Sequence, residues 1–118
     1  MSLEAAVSSF QQLQNSLQTV VEARQRLDSQ LSENEQVKKE FSRLTPNNQI
    51  YKLIGPVLVK QDQVDAKTNV DKRIEFINDE IKRVEAQLRD ISEKMEKKKV
   101  EIVQLQTKAQ QTTQVPTS

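Results

Sequence analysis

A chain of 118 residues with 35% hydrophobic, 30% charged and 3% aromatic residues has room for one structural unit, but too little apolar mass for a compact core. Its net charge of +1 shows no bias toward nucleic acid or an acidic membrane, and no apolar run reaches the roughly 18 residues a membrane span needs. Cysteine and histidine are both absent, which removes disulfides, thiolate metal sites and the commonest general base. The expectation is a protein that is not an enzyme, holds no metal and resides in a reducing, cytoplasmic compartment.

The first predicted element is a helix within residues 1–44. Leu3, Ala6, Phe10, Leu13, Leu17, Val20, Leu27 and Leu31 recur in alternating steps of three and four, the seam of a coiled coil. Arg24 and Asn34 are polar residues on that seam, and Val37, Phe41 and Leu44 continue it partly out of register. Thr45 precedes Pro46, and the residue before a proline is disfavoured in α conformation, so the helix is expected to stop near Arg43 or Leu44.

Residues 45–63 form the second predicted element, a linker and β-hairpin. The stretch "IYKLIGPVLVKQ" at 50–61 holds the chain's single glycine and two apolar runs. Gly55 at the first central position of a two-residue turn is the type II′ signature, and Pro56 has the φ required at the second. This turn pairs Ile54 with Val57, Leu53 with Leu58 and Tyr51 with Lys60. Side chains alternate faces, so Ile50, Ile54, Val57 and Val59 share one face and Tyr51, Leu53 and Leu58 the other. A lone two-stranded hairpin is marginal in water, and one with two apolar faces and open edges invites aggregation. Folding down over its own helix ends is the simple alternative. The reading favoured here is an oligomerisation element in which several chains pool hairpins into a shared sheet or an intersubunit β-barrel.

The third predicted element is a helix over 64–109. Val70, Ile74, Ile77, Ile81, Val84, Leu88, Ile91, Met95, Ile102, Leu105 and Ala109 lie on one seam, interrupted only by Lys98. Asp79–Arg83, Glu85–Arg89, Asp90–Lys94 and Glu93–Lys97 are acid-before-base pairs four residues apart, and Asp62 or Asp65 is placed to cap the N-terminus. Residues 110–118 lack periodicity and are expected to be disordered. Two segments of similar length joined by a compact connection fold back on each other. The fold class is therefore mainly α: a long antiparallel two-helix coiled-coil hairpin with one central β-hairpin and both chain ends at one tip.

The residues at 50–61, with "NVDKRIEFINDEIKRVEAQLRDI" at 69–91 and "FQQLQNSLQTVVEARQRLDSQLSENEQVKKEF" at 10–41, resemble the β-class subunits of prefoldin, a hexameric co-chaperone. The resemblance spans roughly residues 8–108, and the single hairpin sets it apart from the α class. It implies a hetero-hexamer of α- and β-class subunits whose hairpins form a β-barrel platform. Ile50, Tyr51, Leu53, Ile54, Gly55, Pro56, Val57, Leu58 and Val59 would belong to that platform. It also implies that coiled-coil tips hold unfolded proteins such as actin and tubulin and pass them to the cytosolic chaperonin. No nucleotide or other cofactor, nucleic acid or membrane is involved. At the tip, Leu3, Val7, Phe10, Val100, Val103 and Leu105 are the candidate client contacts; Val7, Val100 and Val103 lie off the main seam.

Two other classes compete. A structural coiled-coil adaptor with one fixed partner would not need a hairpin with two apolar faces. An RNA-binding arm would carry a continuous basic stripe, whereas "KMEKKKVE" at 94–101 interleaves acids with bases and has no aromatic nearby for stacking. That cluster reads as a solvated helix face, or as a contact for acidic clients or the chaperonin.

Overall fold

The computed structural model describes residues 2–113. Four elements follow in order: helix α1 (Leu3–Phe41), strand β1 (Ile50–Ile54), strand β2 (Val57–Gln61) and helix α2 (Gln63–Thr113). Arg24–Arg83 forms one compact unit, and the residues before and after it form a second.

In the unit Arg24–Arg83, the last turns of α1 and the first of α2 run antiparallel. Lys38, Phe41 and Ser42 face Lys67, Val70 and Asp71, while Gln30 and Asn34 face Lys72, Arg73, Phe76 and Ile77. Ala66, Val70, Ile77 and Ile81 are buried here, and Ile74 is half-buried between them. Both polar seam residues reach a group on their own helix. The Arg24 guanidinium lies 3.6 Å from Asp28, and Asn34 Nδ2 donates to the Gln30 carbonyl at 2.7 Å. Lys38 crosses to Asp71 at 3.0 Å.

Helix α1 ends at Phe41, two or three residues before the predicted stop. Its last hydrogen bonds shorten to a three-residue span, Arg43 N–H to the Glu40 carbonyl and Leu44 N–H to the Phe41 carbonyl. Asn48 Oδ1 then accepts from both the backbone N–H and the hydroxyl of Thr45, so a local turn competes with further helix. Gln63 ties this turn to the start of α2 by donating its amide to the carbonyls of Thr45 (2.9 Å) and Asn48 (2.6 Å).

Of the two predicted caps, Asp62 takes the position: its Oδ1 accepts from Val64 N–H at 2.7 Å, and Asp65 adds negative charge inside the first turn. We expect Asp62→Ala to destabilise the chain by about 1 kcal/mol in thermal unfolding, and Asp62→Asn to recover most of the loss.

In the second unit, Ser9, Gln12, Leu13 and Ser16 of α1 face Lys94, Lys97, Lys98 and Glu101 of α2, again antiparallel. Ala6 and Val84 are buried; Leu3, Phe10, Leu13, Leu17, Val20, Leu88, Ile91, Met95, Ile102 and Leu105 are half-buried. Helix α1 begins with an uncounted cap, Ser2 Oγ accepting from Ala5 N–H at 3.1 Å.

Several expectations on α2 need correction. The helix does not end at Ala109 but runs to Thr113, and Ala109 is exposed. Residues 110–113, expected to be disordered, are helical because Gln and Thr still propagate a helix already formed, and each added residue needs only one new hydrogen bond. Residues 114–118 of that predicted tail lie outside the described residues. Finally, Arg83 turns to Glu80, three residues back, at 2.7 Å instead of to Asp79. Its hydrogen bond and positive charge lower the pKa of the half-buried Glu80 carboxyl from its ordinary value.

Candidate functional site

The hairpin follows from its turn. Gly55 has φ +58°, and no other residue among those described has positive φ. A type I′ turn would need positive φ at both central residues, which Pro56 cannot adopt, so the turn is type II′. The register is Ile50 with Gln61, Tyr51 with Lys60, Lys52 with Val59, Leu53 with Leu58 and Ile54 with Val57, which includes the three pairs expected from the sequence.

This register also sets the direction of the backbone groups. The pair flanking a two-residue turn exchanges hydrogen bonds, and bonded and non-bonded pairs then alternate. Tyr51, Leu53, Leu58 and Lys60 are therefore the residues whose N–H and C=O point outward, away from the partner strand. The sheet has two strands, so both outer edges are open.

The side chains are equally uncovered. Ile50 alone is buried; Tyr51, Ile54, Val57 and Val59 are exposed, and Leu53 and Leu58 retain 66% and 65% of their accessible surface. Six large apolar side chains on a ten-residue ladder, with both edges open, form a contiguous patch of the kind soluble monomers avoid. What this arrangement can do chemically is add strands at its edges and bury apolar faces.

The candidate client residues separate into two groups. Leu3, Phe10 and Leu105 are half-buried in the seam, while Val7, Val100 (53%) and Val103 (59%) are exposed. All six belong to the unit that excludes the hairpin. Sequence reading passed over three further exposed apolar residues, Val21 beside the α1 seam and Val64 and Phe76 on α2. The available signal was their position off the seam, at 17, 20, 24 and 27 for Val21 and at 70, 74, 77 and 81 for Val64 and Phe76, the criterion that singled out Val100 and Val103.

No group of three or more aspartates and glutamates among the described residues gathers closely enough to hold a metal ion, and no helix among them is long and apolar enough to cross a membrane.

Comparison with known proteins agrees with this geometry. A family profile described as "Prefoldin subunit" matches residues 4–109. The chain is 47% identical over 103 residues to prefoldin subunit 6 of Saccharomyces cerevisiae, covering 87% of this chain and 90% of the yeast protein. It is 44% identical over 108 residues to prefoldin subunit 6 of Homo sapiens, covering 92% and 84%. Among solved structures, the prefoldin beta subunit from Thermococcus strain KS-1 superposes with a TM-score of 0.78 over 85% of this chain and 88% of that one, at 24% identity, a likeness of fold. With two long helices, one type II′ hairpin left uncovered, and a family match over nearly its whole described length, the chain belongs to the prefoldin subunit family.

Proposed function

We propose that this co-chaperone subunit enters a hetero-hexamer with α- and β-class prefoldin subunits through its hairpin. In that assembly it holds unfolded chains, actin and tubulin among them, for transfer to the cytosolic chaperonin without nucleotide. The observation that carries the reading is the uncovered hairpin. Partner strands on both edges would pair the outward N–H and C=O groups of Tyr51, Leu53, Leu58 and Lys60. Barrel closure would bury Ile54, Val57 and Val59 as well, with Ile50, Gly55 and Pro56 fixing the strand start and the turn. A fixed two-chain adaptor would leave one edge of this sheet open.

Client holding is assigned to Val7, Val100 and Val103, bordered by the half-buried Leu3, Phe10 and Leu105. Scattered valines bind weakly one at a time, but several subunits engaging one chain raise the joint affinity by orders of magnitude. The test has two arms. The native complex isolated from cytosol should contain six small coiled-coil chains by mass. The substitutions Val7→Ser, Val100→Ser and Val103→Ser together should leave that mass unchanged while light scattering of a diluted, denatured client rises toward the chaperone-free level. A complex of one fixed partner, or full protection by the triple variant, overturns the corresponding half of the proposal.

A further inference from the structure

Where α1 packs beside the basic stretch of α2, their charges do not match. Residues 5–21 of α1 carry no charged side chain, whereas the facing turns of α2 contain Lys94, Lys97, Lys98 and Lys99. A groove between the two helices is lined by Ser9, Gln12, Leu13 and Ser16 on one wall and by Lys94, Lys97, Lys98 and Glu101 on the other. In most paired helices such lysines would meet glutamates across the seam. Here they meet hydroxyls and amides.

The ion pairs that do form stay within α2. Lys94 lies 3.0 Å from Asp90, Lys98 2.9 Å from Glu101, and Lys99 3.8 Å from Glu96. Lys97 has no ion pair among the described residues; the expected Glu93–Lys97 pair does not form. The single acid in the groove, Glu101, is already neutralised by Lys98. Lys97 also borders a shallow surface around Val100, shared with Glu93 and Glu96, so its ammonium stands between the groove and an exposed valine.

We propose that this groove binds a carboxylate-rich segment of polypeptide, with Lys97 as its central contact, Lys94 and Lys98 beside it, and Ser9, Gln12 and Ser16 donating hydrogen bonds to the carboxylate oxygens. Acidic segments are the class it selects for two reasons. The Lys97 ammonium, which has no ion pair among the described residues, lies with Lys94 and Lys98 opposite donors that bear no charge, and Val100 accepts an apolar residue next to the acidic one. The groove lacks an aromatic side chain, so it offers nothing on which a base could stack. The proposal rests on the client-holding reading above and adds a preference to it: among unfolded chains, those with clustered aspartate or glutamate are held longer.

The experiment uses the full chain purified with its partner subunits and a fluorescent oligoglutamate as probe. Binding is measured by anisotropy at low and at physiological ionic strength. We expect saturable binding that weakens with added salt, and a loss of about tenfold in affinity when Lys94, Lys97 and Lys98 are all changed to glutamine, the combined effect of three modest ion pairs. Lys98 is partly buried by its pair with Glu101, so Lys97→Glu alone serves as a second variant that leaves that pair intact; it should also weaken the probe. The two readings remain separable. The valine-to-serine variant should lose protection of a weakly charged client but keep oligoglutamate binding. The lysine variants should do the reverse. Equal probe binding by wild type and both lysine variants, or no binding by wild type, overturns the proposal. So does tighter lysine-dependent binding of oligouridylate than of oligoglutamate, which would mark a phosphate site instead.

Discussion

Replacing Leu53 and Leu58 with aspartate is expected to exclude the chain from its complex while leaving its helices formed. The two leucines face each other across the ladder and keep about two thirds of their surface in solvent, so the chain alone gains little from them. In a shared barrel each would bury most of its side chain, worth roughly 1.5–3 kcal/mol. Losing both therefore weakens association by about two to four orders of magnitude. Charge burial adds to this, because an ionised carboxylate cannot enter an apolar interface without a partner. Light scattering after size exclusion reads the assembly, and far-UV circular dichroism the helices.

Two aspartates directly opposite each other also repel, which strains the hairpin itself. A second variant removes that ambiguity. Leu53→Lys with Leu58→Glu places opposite charges across the same pair, favours the isolated hairpin, and still denies an apolar surface to neighbouring strands. Both variants should fail to assemble. Normal incorporation of the lysine–glutamate variant would show that assembly uses another surface.

The second large effect is expected at Gly55. A β-carbon built there meets no atom within 4 Å, so crowding cannot be the cause of any loss. The cost comes from the backbone: φ is +58°, a region that β-branched residues avoid at a cost of roughly 1–3 kcal/mol. In Gly55→Val that energy is drawn from a two-stranded hairpin with little stability of its own. The expected outcomes are loss of assembly and no change in helix content. Gly55→Asn is the informative control, because asparagine tolerates positive φ far better than valine while adding a side chain of similar size. If valine and asparagine impair assembly equally, a neighbouring subunit packs against the turn, and the backbone explanation fails.

Local chemistry made much of this protein readable from its sequence. One glycine and one proline, adjacent and flanked by apolar residues, specify a type II′ turn; once the turn is set, the register of all five pairs follows, because a two-residue connection leaves no freedom to slip. The seam of each helix was equally legible, since a repeat of three and four residues depends only on helix geometry. The cap of α2 could be narrowed to Asp62 or Asp65 because capping acts over two or three residues, and Asp62 takes the position.

Other features depended on where a second segment of chain lies. Lys38 finds Asp71, and Gln63 finds the carbonyls of Thr45 and Asn48, across separations that no periodicity encodes. Arg83 chooses Glu80 over Asp79, a choice between rotamers that two acceptable spacings leave open. The division of the six candidate client residues into half-buried Leu3, Phe10 and Leu105 and exposed Val7, Val100 and Val103 follows from how α1 and α2 are rotated against each other. The same rotation places uncharged Ser9, Gln12 and Ser16 opposite Lys94, Lys97 and Lys98. Composition located the lysines, but only packing showed that their facing wall has no acid. Turns, caps and seams are set by neighbours along the chain, and the sequence states those neighbours directly. Exposure and charge pairing are set by neighbours in space, which exist only once the two helices have packed.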